Sequence, residues 1–114
     1  MKVIHNPFVK YVKFKKWWAN CLSKRPNKLI DFNTRNSMTL NKRVILEKPK
    51  VDDLCDFLID EGLDILFHNT EKGWICKVNK STPQFNIVKY AETPSRVIKL
   101  AALDYLKEDV YNDV

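Results

Sequence analysis

Glycine is almost missing from this 114-residue chain, which holds only Gly62 and Gly73 alongside five prolines. A many-turned β-sandwich needs more punctuation than that, so longer elements joined by few sharp turns are expected. No apolar run approaches the roughly 20 residues that span a bilayer. The opening stretch, MKVIHNPFVKYVKFKKWW, scatters lysines through its apolar residues and offers no small-residue cleavage pattern, so no secretory leader is expected and a cytoplasmic setting follows. Cysteine is sparse: Cys21, Cys55 and Cys76 are odd in number and far apart, unlike a secreted disulfide framework, and read as free thiols.

Chemistry-bearing patterns are missing as well. The chain has no phosphate loop, no Gly-x-Ser-x-Gly elbow, no His-Glu-x-x-His and no Cys-x-x-Cys. Its two histidines, His5 and His68, leave His68 as the one plausible general base, with Cys76 on a neighbouring strand as its conceivable partner. A metal site would want more ligands at suitable spacing, and a nucleophile would want an orienting third group. The acidic run Asp52, Asp53, Asp56, Asp60 and Glu61 follows the wet face of a helix. The reading is therefore of a non-enzyme, with no catalytic residues, metal or cofactor implied.

What is present in quantity is apolar and aromatic character, at 45% and 11%, which favours one folded domain over residues 1–114. Charge is unevenly spread. Residues 1–50 hold thirteen Lys/Arg against only Asp31 and Glu47, a net +11, whereas residues 51–114 hold seven basic and twelve acidic residues, a net −5. Such a split predicts two surfaces with different work.

The C-terminal half has clear periods. Val51, Leu54, Cys55 and Leu58 mark an amphipathic helix that stops at Gly62, with Phe57 alone off its stripe. Alternation then takes over: Leu63, Ile65 and Phe67, the turn residues Asn69 to Gly73, and a strand Trp74 to Asn79 make a hairpin. Ser81-Thr82-Pro83 interrupts, and Phe85 to Tyr90 forms a third strand. Thr93-Pro94 opens a second helix whose apolar arc is Ile98, Ala101, Ala102, Tyr105 and Leu106, with Leu100 and Leu103 outside it.

The N-terminal half is less regular. Val9 to Trp18 admits either period. Read as a helix, the preferred choice, it starts at Asn6-Pro7 and faces Phe8, Tyr11, Val12, Ala19 and Leu22 inward. Asp31 to Asn41 reads as loop, Arg43 to Glu47 as a short strand, and Lys48-Pro49-Lys50 as the separator. The fold class expected is α+β: a three-stranded antiparallel sheet, with or without an N-terminal strand, packed by two or three helices. Its helix-hairpin-strand-helix core occupies residues 51–107, between a basic segment over 1–50 and a tail over 108–114.

The run Ala91-Glu92-Thr93-Pro94-Ser95-Arg96-Val97-Ile98-Lys99-Leu100-Ala101-Ala102-Leu103 resembles the closing motif of the phage αβα-sandwich domain family. The likeness covers residues 51–107, with Val97 where the family usually has alanine, and does not extend to the N-terminal half. It implies a phage or mobile-element origin and hence a bacterial host cytoplasm.

The candidate binding surface is the basic segment, where Lys10, Lys13, Lys16, Lys24, Arg25 and Lys28 interleave with Trp17 and Trp18, and Arg35, Lys42 and Arg43 extend it. On a continuous helix Lys10, Lys13 and Lys16 form a ridge, and two adjacent tryptophans cannot both turn inward. Lysines neutralise phosphates, and flat rings stack on bases or fill protein pockets. The plain alternative is a solvated basic face with the aromatics inside. The function expected is a phage accessory protein that binds and inhibits a host protein or protein–nucleic acid complex, of anti-CRISPR or anti-restriction type. Direct DNA or RNA binding is the rival, and no membrane is implied.

Overall fold

The computed structural model describes residues 6–25, 37–81 and 84–112. The chain is α+β and divides into two units, Met1–Lys48 and Pro49–Val114, the boundary falling in the Lys48-Pro49-Lys50 separator.

The second unit has the expected α-β-β-β-α order. Helix α3 (Val51–Asp60) starts with the Asp53 carboxylate accepting the Lys50 N–H at 2.9 Å. It ends in a Schellman closure, in which Gly62 N–H donates to Ile59 and Leu63 N–H to Leu58, with Gly62 at φ 84° where only glycine sits easily. Strands β1 (Asp64–Thr70), β2 (Gly73–Ser81) and β3 (Gln84–Ala91) form an antiparallel sheet in that order. The final helix α4 (Pro94–Asn112) opens with the Thr93 hydroxyl accepting the Arg96 N–H, and it runs into the stretch expected as tail.

Pleating sorts the strand residues. Cys76, Val78 and Ile87 point to one face and are buried beneath α4, which packs on β2 and β3 and against α3. Val97, Ile98, Ala101, Ala102, Tyr105 and Leu106 supply the helix side of that core, the paired alanines allowing close approach. Phe57, read from sequence as lying off the stripe, is fully buried and meets Tyr105 edge-on at 6.4 Å. It is buried because α3 packs on α4 as well as on the sheet, so its apolar arc is wider than one stripe.

The first unit departs further from expectation. Asn6 caps a 3-10 turn, Pro7–Lys10, and Tyr11 is extended, so the α-helix α1 begins only at Val12 and ends at Ser23. That break resets the phase: the buried side chains are Phe8, Phe14, Trp18 and Leu22, while Val12, expected inside, is exposed. Of the stretches expected as loop, Asp31 to Asn41, and strand, Arg43 to Glu47, residues 37–46 are instead helix α2, Ser37–Leu46, and residues 31–36 lie outside the described residues. Among the described residues the sheet has three strands, and no N-terminal strand joins it.

Candidate functional site

The two helices of the first unit are tied together at their C-terminal ends, where carbonyls lack intrahelical donors. Arg43 on α2 reaches the end of α1, donating from Nη1 to Leu22 O at 2.9 Å and Arg25 O at 3.3 Å, while its Nε pairs with the Glu47 carboxylate at 3.2 Å. In the other direction, Trp18 Nε1 and Asn6 Nδ2 both donate to Glu47 O at 3.1 Å, and Asn6 N–H donates to Ile45 O. Each helix thus caps the other. Asn6, fully buried with its Oδ1 also accepting the Phe8 N–H, is more than the helix cap expected from its place before Pro7.

This lock reassigns two of the candidate binding residues. Trp18 is 1% exposed, stacks on Phe14 at 6.1 Å, and cannot present its ring to a partner. Arg43 spends its guanidinium on backbone carbonyls and Glu47. Trp17, one step round the helix, is half-buried and stacks on Trp18 at 6.2 Å, keeping part of its indole at the surface. Of the pair, then, one ring is inside and one is at the margin.

The other cations lie outward. Lys13, Lys16 and Lys24 on and just beyond α1, together with Lys15, are exposed, as is Lys42 on α2. Arg25 is exposed and sits over the Trp18 ring at 5.0 Å, and Lys10 sits over the Tyr11 ring at 5.2 Å. Because Tyr11 is extended, Lys10 is not on the same helix as Lys13 and Lys16, and the expected straight ridge becomes a broad basic arc around α1. Lys28 and Arg35 lie outside the described residues.

Position along α1 makes these charges informative. The first turn of α1 holds no acidic residue and Tyr11 makes no side-chain cap, so Lys13 and Lys15 sit at the positive end of the helix dipole. Exposed cations there cost the helix about 0.3–1 kcal/mol each. The helix dipole therefore does not account for them.

In the second unit the register separates His68 from Cys76. His68 pairs with Ile75, and Cys76 with Phe67, so the imidazole and the thiol stand on opposite faces of the sheet and make no catalytic pair. Cys76 is buried and its thiol is pushed up to about 11, mainly by desolvation and further by nearby Cys55. Cys55 is also raised, by burial first and then by Asp52 and Asp56. Neither thiol is poised as a nucleophile. Asp52, Asp56 and Asp60 are exposed along α3, Asp53 is its buried cap, and Glu61 accepts a 2.9 Å hydrogen bond from Tyr105.

No family model, curated protein or solved structure matches this chain.

Proposed function

We propose that this chain is a phage or mobile-element accessory protein that binds an anionic surface of a host macromolecule through its basic N-terminal unit and blocks it. The observation that carries the reading is the charge arrangement of α1: exposed lysines at a helix end that disfavours them, in a unit of twelve Lys/Arg and only two acidic residues. The phage assignment rests on the resemblance of residues 91–103, and inhibition of a nucleic-acid-handling defence protein is the activity that this origin suggests. With Trp18 inside, a row of stacking rings is not available, so a carboxylate-rich protein surface is the preferred partner.

A second reading, direct binding to DNA or RNA, is favoured by Trp17, whose half-buried ring is on the same helix face as Lys13, one turn earlier in α1. The two separate in one experiment. Affinity capture of the full chain from a bacterial lysate, with and without nuclease, is expected to retain a stoichiometric protein after nuclease. Capture of nucleic acid alone, lost on nuclease treatment, selects the second reading. Recovery of neither, together with no salt-sensitive gel shift at low ionic strength, removes both.

A further inference from the structure

The helices of the second unit cover one face of its sheet, and the other face carries apolar side chains. Reading across the register, Leu66, Lys77 and Val88 form one row, and His68, Ile75 and Tyr90 the next. Leu66 is 54% exposed, Val88 38% and Tyr90 69%. Three of the seven exposed large hydrophobic residues among those described thus gather on this one face, with Ile75 half-buried between them. An outward-facing strand residue is ordinarily polar, and a cluster of this kind marks a contact surface.

We infer that this face is the interface of a homodimer, its occupant being the same sheet face of a second copy. The argument is electrostatic. Elsewhere the molecule is strongly charged, with exposed lysines around α1 and exposed Asp52, Asp56 and Asp60 along α3. Among its described residues the sheet face instead carries one lysine, Lys77, and one carboxylate, Asp64, and no other Lys, Arg, Asp or Glu. A polyanion meets a single lysine there, and a basic partner a single carboxylate. A second copy supplies the opposite charge for each and matches apolar rows with apolar rows, as a two-fold interface requires. Sheets pack face to face at about 10 Å with interdigitated side chains, which suits branched and aromatic residues in adjacent rows.

Area sets the strength. Three strands about 4.8 Å apart and roughly seven residues long at ~3.4 Å each give a footprint on the order of 350 Å². Two such faces bury roughly 1,000 Å² of accessible surface, the low end for a specific interface, so dissociation in the micromolar range is expected.

Sedimentation of the full chain over a concentration series tests this. The mass is expected to rise from 13.5 kDa towards twice that value with concentration, and to do so more readily at high salt, because salt screens the mutual repulsion of two +6 molecules. That salt response is opposite in sign to the one expected for the basic surface of the first unit, so the two proposals fail separately. A Tyr90→Glu, Leu66→Glu variant, which gives both faces a net negative charge, is expected to stay monomeric at every concentration, while Leu100→Glu, on the exposed side of α4, dimerises like the parent. A parent that remains monomeric throughout overturns the inference. So does a dimer that survives Tyr90→Glu, Leu66→Glu, or one that is lost only in Leu100→Glu.

Discussion

Trp18 fills the space between α1 and α2 and donates its indole N–H to Glu47 O, so its removal opens a cavity and leaves a carbonyl with one donor fewer. Trp18→Ala is expected to lower stability by about 3–5 kcal/mol, and Trp17→Ala by far less, as read by urea denaturation followed by circular dichroism. Equal losses in the two variants would contradict this placement. Sequence adjacency made the two rings look equivalent; the phase of α1, reset by the extended Tyr11, is what separates them. Cys76 carries a second residue-scale expectation. Its thiol is held neutral in the fold up to about pH 11, against an ordinary value of 9.0 in the unfolded chain. Above pH 9 the unfolded state sheds this proton and the folded state keeps it, so stability is intact below pH 9 and falls as pH rises towards 11. A Cys76→Ala variant should show a shallower decline over that window in pH-dependent denaturation.

At the scale of the element, the second unit was legible because its periods change where its punctuation falls. A 3.6-residue stripe ends at Gly62, two alternating strands meet at Gly73, and Thr93-Pro94 starts α4, each boundary forced by backbone chemistry. Gly73 shows how tightly. It sits at φ 133°, and a Cβ there would lie 2.7 Å from Ala91 O on the neighbouring strand, whereas at Gly62 the nearest atom is the flexible end of Lys80 at 3.9 Å. Gly73→Ala is therefore expected to destabilise by more than the ~1–2 kcal/mol that left-handed backbone alone costs Gly62→Ala. Thermal melts of the pair check the order. The first unit was less legible for the converse reason. In α2 the run Arg43-Val44-Ile45-Leu46 has strand-like composition, and the helical signal reduces to Leu40 and Val44 one turn apart. Its reality depends on partners distant in sequence, Asn6 and Trp18, which no local pattern shows. The same distance explains why Arg43 looked like a surface cation: nothing in residues 37–47 says that the end of α1 is within its reach.

At the scale of the whole molecule, the sequence places net +10 on the first unit and −4 on the second, and the structure shows how the first spends its cations. Arg43 is consumed by the lock between helices, whereas Lys15, Lys16 and Lys24 stay at the surface. A charge kept for stability and a charge kept for binding respond oppositely to reversal. Lys15 lies next to the unfavourable positive end of α1, so Lys15→Glu should leave the fold unchanged or raise its stability by a few tenths of a kcal/mol. In the combined Lys15→Glu, Lys16→Glu, Lys24→Glu variant, capture of the anionic partner should fall at least tenfold, because each reversal replaces attraction by repulsion. Arg43→Ala should behave in the reverse sense, losing stability as Leu22 O and Arg25 O lose the guanidinium that ties them to α2, with binding per folded molecule little changed. Melting temperature and partner capture measured on the same preparations distinguish the two behaviours. If reversal of the three lysines lowered the melting temperature as much as Arg43→Ala does, those lysines would belong to the architecture of the first unit, and its basic surface would need another explanation.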